Sequence, residues 1–257
     1  MVIIIAPWVQ WAPTTLGAAG QWTDLASVVL NRAMIDQRPR SLVVVVGTGT
    51  EVGKTWVAAA VLGELARGGV AVNARKLAQS HEPDDEAESL DAAVLAAVTG
   101  EPVSTVCPAR LTFPAALAPP MAADVLGTAP PTMAELLEIA PFSPGCEVGV
   151  VETAGGLRSP QASDGDALDA CEAIDPDYVV LVADAGLGTI SSVRLCCDAL
   201  EGALDAPVCV VLNRFDDSDL TMVANRRWLT DVDGFRVFVS PQEVPQLAGM
   251  IKEPARR

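Results

Sequence analysis
The chain has 257 residues, half of them apolar, and a formal net charge of −16 at neutral pH. That is ample material for a sizeable core, and the sign of the charge argues against nucleic acid and against an anionic membrane surface as partners. No apolar stretch approaches the ~18–20 residues that a membrane-crossing helix needs, and six scattered cysteines without paired spacing fit a reducing cytosol, so a cytoplasmic protein is expected.

Residues 1–40 stand apart, because three of the five tryptophans (Trp8, Trp11, Trp22) fall here without a clear period. Met1-Val2-Ile3-Ile4-Ile5 lacks the basic region that opens a secretory signal. We read 1–40 as an N-terminal extension, expected to be flexible. Within it, 1–33 is either an appendage or the product of a start codon set ahead of Met34. A single folded domain is expected over 41–257.

The apolar, β-branched run 42–46 reads as a buried strand, and 56–67, rich in Ala, Leu and Val at helical spacing, as a helix. Between them lies Gly47-Thr48-Gly49-Thr50-Glu51-Val52-Gly53-Lys54-Thr55. Strand, glycine turn, Gly-Lys-Thr, helix is an arrangement that binds nucleoside triphosphates. Glycines let backbone N–H groups reach the phosphates, and the helix N-terminus adds partial positive charge. Lys54 supplies a movable cation for the outer phosphates, and the Thr55 hydroxyl can ligate Mg²⁺. Gly47 leaves five residues before Gly53-Lys54, where the usual spacing is four.

Gly68-Gly69 turns the chain into a second strand that starts at Val70 and ends at Arg75-Lys76. A polar loop, 80–85, precedes a helix over 91–98 that Gly100 and Pro102 stop. Residues 108–131, rich in proline and alanine, read as an irregular excursion. Thr132, with Glu135 at capping-box spacing, opens a helix through 139. Further strands are expected at 148–151, 178–182, 208–212 and 236–239, with helices over 190–204 and 220–230. Apolar strands alternating with helices mean an α/β chain. The expected architecture is a three-layer P-loop fold, its mainly parallel central sheet covered by helices on both faces.

Such sheets bind ligands beyond the carboxyl ends of their strands. The polar and glycine residues cluster there, at 47–55, Lys76, 152–156, 184–188 and Asn213. Lys76 offers a second cation to offset charge on a transferring phosphoryl group; the alternative is an exposed lysine that merely ends a strand. Glu152 can bind Mg²⁺ directly or through water. Asp91 opens a helix, where capping is the common role of an aspartate. Asn213 ends a strand in Asn213-Arg214-Phe215-Asp216, and an amide there can read a purine edge, a faint echo of the Asn-Lys-x-Asp guanine signature. His81 reads as a solvated loop residue without chemistry. The six cysteines are scattered without paired spacing, and with one histidine in the chain they read as small buried hydrophobes rather than a zinc site.

From Leu42 to about Val239 the chain resembles dethiobiotin synthetase, a Mg²⁺- and ATP-dependent ligase of biotin synthesis. The segment Gly47 to Thr55 is similar to that family's loop almost letter for letter, the extra residue included. Lys76-Leu77-Ala78-Gln79-Ser80 resembles its Lys-Pro-x-x-Ser, and Val151-Glu152-Thr153-Ala154-Gly155-Gly156 its Val-Glu-Gly-Ala-Gly-Gly. The resemblance implies ATP and Mg²⁺ as cofactors, diaminopelargonate and CO₂ as substrates, and a homodimer with substrate between subunits. It implies that Lys54 and Lys76 stabilise the transferring phosphoryl group and that Ser80 helps hold a substrate carbamate. Thr55, Asp91 and Glu152 would hold Mg²⁺. The nucleotide would meet Gly49, Thr50, Glu51, Val52, Gly53, Lys54 and Thr55 of the loop, with Glu152, Gly155 and Asn213.

Three positions depart from the pattern: Leu77 replaces Pro, His81 replaces Gly, and Thr153 replaces Gly. If position 153 needs a positive φ, a threonine there costs on the order of 1–2 kcal/mol. Other readings stay open. A partitioning or division-site ATPase would carry a signature lysine at the start of the loop, where Val46-Gly47-Thr48 has none. A P-loop amidoligase would usually add a glutaminase domain that this length does not hold. A nucleotide-binding paralogue without ligase activity is the third.

Overall fold
The computed structural model describes residues 38–255, so all but the last three residues of the extension expected over 1–40 lie outside the described residues. In chain order the first elements are β1 (Ser41–Gly47), α1 (Lys54–Arg67), β2 (Val72–Lys76), β3 (Gln79–Ser80), α2 (Asp91–Thr99) and α3 (Val103–Val106). There follow β4 (Thr112–Phe113), α4 (Pro119–Val125), α5 (Met133–Leu137), β5 (Val148–Glu152), β6 (Pro160–Ala162) and β7 (Gly165–Asp166). The last are α6 (Ala167–Ile174), β8 (Tyr178–Asp184), α7 (Thr189–Ala203), β9 (Val208–Asn213), α8 (Leu220–Arg227), β10 (Arg236–Val239) and α9 (Val244–Ile251).

Alternation along β1 explains the layers. Val43 and Val45 pack into one apolar cluster, Leu42, Val44 and Val46 into a second. A strand apolar on both faces must be covered on both. α1, α2 and α9 bury Val57, Leu62, Leu95, Leu247 and Ile251 in the first cluster. α6 and α7 bury Cys171, Ile174, Val193, Cys197 and Leu200 in the second. The sheet between them is six-stranded in the order β10-β9-β8-β1-β5-β2, and every neighbouring pair is parallel. The expected three-layer α/β fold with a parallel sheet is what forms.

The order matters for chemistry. β5 lies between β1 and β2, and the register sets Lys76 opposite Glu152 and Val45 opposite Glu152. The ends of β1, β5 and β2 therefore meet on one side of the loop after β1, those of β8 and β9 on the other. Arg38 and Arg40 already belong to the folded unit: Arg38 pairs with Asp177 at 3.3 Å and Arg40 with Glu253.

Four local expectations change. The 108–131 stretch is less irregular than its prolines suggested: it holds β4, which pairs with β3, and α4, which begins at Pro119 as prolines allow in a first turn. The hairpin β6–β7 and helix α6 fill 160–174, where no element was expected. α6 is eight residues long and opens on a capping box, Asp166 with Asp169. α8 ends at Arg227 and one π-helical turn, Trp228–Val232, continues it. α9 follows β10 at the end of the described chain. All six cysteines are free, and Cys107, Cys171, Cys197 and Cys209 are buried. Burial pushes the Cys171 and Cys197 thiols up to about 12, as befits inert packing groups. Among the described residues no helix is long and apolar enough to cross a membrane.

Candidate active site
The loop after β1 is built by backbone geometry. Glu51 and Gly53 take left-handed conformations, φ 61° and 89°, and Gly53 caps α1, which starts at Lys54 rather than at 56. Lys54 and Thr55 thereby open the helix, where the first amides are free to meet an anion. Asn213, at the end of β9, donates from Nδ2 to the Val52 carbonyl at 3.0 Å and is buried. The structure thus gives that amide nitrogen a loop-bracing partner.

A Cβ on Gly53 would stand 2.1 Å from Asn213 Nδ2. Gly53→Ala combines that collision with left-handed strain of about 1–2 kcal/mol. It is expected to weaken nucleotide binding at least about tenfold while the protein stays folded. Calorimetric titration with a non-hydrolysable ATP analogue checks this, and unchanged affinity would disprove the close fit.

A cleft of about 790 Å³ opens over the strand ends. Of the residues singled out from sequence, Thr50, Glu51, Gly53, Lys54, Thr55, Lys76, Ser80, Asp91, Glu152 and Gly155 line it. Val52 and Asn213 lie beneath the loop. Gly49 lines a smaller pocket of about 300 Å³ between the loop, the glycine turn 156–159 and α7. His81, expected to be solvated, lines the large cleft, with Nδ1 2.7 Å from the Glu82 carbonyl.

At the floor Lys76 Nζ lies 2.5 Å from Asp91 and 2.6 Å from Glu152. Thr55 Oγ1 stands 2.7 Å from each of the same two carboxylates. A hydroxyl has one proton, so it can serve only one of them. Glu152 Oε2 is buried without a partner among the described residues. Burial raises the Glu152 pKa against the pull of Lys76. Burial also opposes the charge on Lys76, but Glu152 and Asp91 outweigh it and raise that pKa. Asp91, more open to solvent, is held below the ordinary range: Lys76 and the Thr55 hydrogen bond overcome its partial burial. Lys54 is lowered to about 8 by burial and then by the charge of Lys76; among the described residues its Nζ donates only to the Gly49 carbonyl, at 3.3 Å.

Surplus oxygen acceptors, one of them orphaned, fit a hard divalent cation. Among the described residues no three His, Cys, Asp or Glu side chains form a metal cage. Two carboxylates and a hydroxyl suit Mg²⁺, which keeps waters and phosphate oxygens in its shell. The donor set therefore fits the cation expected from sequence.

Leu77 is buried in the second apolar cluster, where a proline ring is not required. Among the described residues three non-glycines have a positive φ and Thr153 is not one of them, so the conditional strain does not arise; its amide bonds to the Val45 carbonyl at 3.1 Å. Residues not singled out from sequence also matter. Gln79, buried, accepts from the Ala92 amide at the start of α2 and donates to Thr112, which ties Asp91 to the Ser80 strand. Arg214, with φ 55°, spans from the Glu51 carbonyl at 2.7 Å to Asp184 at 3.3 Å. Gln161 and Ser159 hold the glycine turn. No local periodicity marks these side chains, because their partners, backbone and side-chain groups alike, are brought near by folding.

Known proteins are similar over nearly the whole described chain. A family model described as an AAA domain matches residues 41–251. The ATP-dependent dethiobiotin synthetase of Haloferax mediterranei is 34% identical over 205 residues, 77% of this chain and 82% of that protein. That of Streptomyces coelicolor is 34% identical over 84% of this chain and 88% of its own length. That of Saccharopolyspora erythraea is 39% identical over 62% of this chain and 68% of its own.

Proposed function
Since the chain belongs to the dethiobiotin synthetase family, we propose that it carboxylates 7,8-diaminopelargonate with CO₂ and closes the ureido ring at the expense of ATP. An ATP-dependent synthetase role in biotin chemistry follows from the family. The finer reading rests on one observation, the convergence of Lys54, Lys76, Thr55, Asp91 and Glu152 on one cleft floor.

One amine of the substrate adds to CO₂, loses a proton and becomes a carbamate. A carbamate oxygen attacks the terminal phosphorus of ATP and ADP leaves, giving a mixed anhydride. The second amine attacks the carbamoyl carbon, phosphate leaves with the bonding pair, and a further proton is lost. Nothing here needs a protein nucleophile; positioning and charge neutralisation are the task. A carbamate beside a triphosphate gathers about five negative charges, and Lys54, Lys76 and a divalent cation offset about four. Thr55, Asp91 and Glu152 are the groups that would hold Mg²⁺, which supplies charge neutralisation when bound. Lys54 would follow the outer phosphates and Lys76 the transferring group. Ser80, whose Oγ is buried beside the cleft without a partner among the described residues, would donate to a carbamate oxygen.

The reading includes a homodimer with the diamine between copies. Leu187, 96% exposed just beyond β8, and Leu195, 69% exposed at the smaller pocket, are apolar groups a second copy would cover.

The test supplies purified protein with ATP, Mg²⁺, bicarbonate and diaminopelargonate and follows phosphate release with and without the diamine. Diamine-dependent release that stops on chelation of Mg²⁺ is expected. Release indifferent to the diamine would overturn the reading in favour of a nucleotide switch.

A further inference from the structure
Counting the amides of the turn after β5 isolates one group. Thr153 N–H bonds to the Val45 carbonyl at 3.1 Å and Leu157 N–H to the Gly47 carbonyl at 2.8 Å. Ala154 N–H bonds to Gln161 Oε1 at 2.8 Å and Gly156 N–H to Ser159 Oγ at 2.9 Å. Gly155 N–H, between them, has no protein partner among the described residues, and Gly155 lines the cleft. Gly155 is half-buried in the cleft wall, so its N–H, unlike its four satisfied neighbours, is available to an acceptor that enters the cleft.

Gln161 produces this arrangement. It is fully buried on β6, and its amide returns 2.7 Å to the Ala154 carbonyl and 3.1 Å to the Ser159 carbonyl. Acceptor and donors thus clasp both polar groups of one residue, as a neighbouring strand would. A leucine here could not do so. The turn has little room to relax elsewhere: a Cβ on Gly155 would meet Ser159 Oγ at 2.7 Å, and one on Gly156 would meet Gly49 Cα at 3.2 Å. Lys76 Nζ lies 3.4 Å from the Thr153 carbonyl, so the turn borders the cation cluster.

We propose that Gln161 is a positioning residue that locks the 153–157 turn so that the Gly155 N–H donates to an anionic oxygen of the reacting ligand. The inference rests on the function proposed above. A preset donor acts on developing charge at no reorganisation cost. The oxygen belongs to the carboxylated substrate or to the transferring phosphoryl group, and kinetics separates the two.

The experiment compares the full chain with its Gln161→Leu and Ser159→Ala variants, the second a milder loosening that keeps the test valid if the first fails to fold. Diamine-dependent phosphate release is measured per folded site, with amide hydrogen exchange over 153–157. Expected are faster exchange in that segment and a fall in kcat of about tenfold or more for Gln161→Leu, less for Ser159→Ala. Alongside that fall in kcat, a rise in the diamine KM assigns the oxygen to the carboxylated substrate, and weaker binding of a non-hydrolysable ATP analogue assigns it to the phosphoryl group. Variants that lose only thermal stability, with kcat and both affinities within about twofold of the parent, overturn the proposal. A parent chain without diamine-dependent release overturns the function reading instead.

Discussion

Replacing Lys76 by methionine is expected to lower diamine-dependent phosphate release about 10²–10³-fold, with nucleotide affinity changed only a few-fold. Lys76 is 2% exposed and reaches both carboxylates of the cluster, so it cannot be replaced by solvent. In the proposed reading Lys54 and the loop amides, which open α1 beside the cleft, would still hold the triphosphate, and this separates binding from turnover. The same change should destabilise the ligand-free protein by about 3–5 kcal/mol, because it leaves a buried carboxylate without its cation. Burial already raises the Glu152 pKa, and losing Lys76 would raise it further. An acid with a raised folded pKa loses stability as pH rises through the interval from its unfolded to its folded value. The gap between variant and parent should thus be widest at neutral pH and narrow on acidification. Turnover assays and denaturant melts at acidic and neutral pH check both halves. Normal turnover in the variant would remove Lys76 from the chemistry.

Glu152→Gln keeps the shape of the fully buried side chain and removes its charge. Lys76 retains Asp91 at 2.5 Å, so the variant is expected to fold. Its defect should appear as a demand for Mg²⁺: the half-saturating concentration is expected to rise at least ~10–100-fold, the range seen on losing even an outer partner of a ligand. Ligand-free thermal stability should change far less than in the Lys76 variant, since no buried charge is orphaned. A Mg²⁺ titration of turnover, with melting curves beside it, reads both. Overlapping titrations for variant and parent would exclude Glu152 from the metal shell.

The loop, its flanking elements and the strand ends were legible because each is a local pattern. A run of valines must be buried, glycines beside Gly-Lys-Thr permit the left-handed turns that Gly53 adopts, and a polar residue ending an apolar strand marks the sheet rim. Lys76 and Glu152 were visible in this way, although not as neighbours. Hairpin β6–β7 and helix α6 were not visible, since short elements carry too few residues to show a period.

By itself the sequence determined a parallel α/β sheet, a glycine-rich loop running into Gly53-Lys54-Thr55 and a set of charged residues at strand ends. Only the tertiary structure decided that β5 inserts between β1 and β2, which brings Lys76 into register with Glu152 although they lie 76 positions apart. It also decided that Asn213 braces Val52 and that Gln161 clasps Ala154. The reason is physical. Periodicity reports which face of an element is apolar, whereas strand order and the partners of buried polar groups depend on packing between segments far apart in the chain.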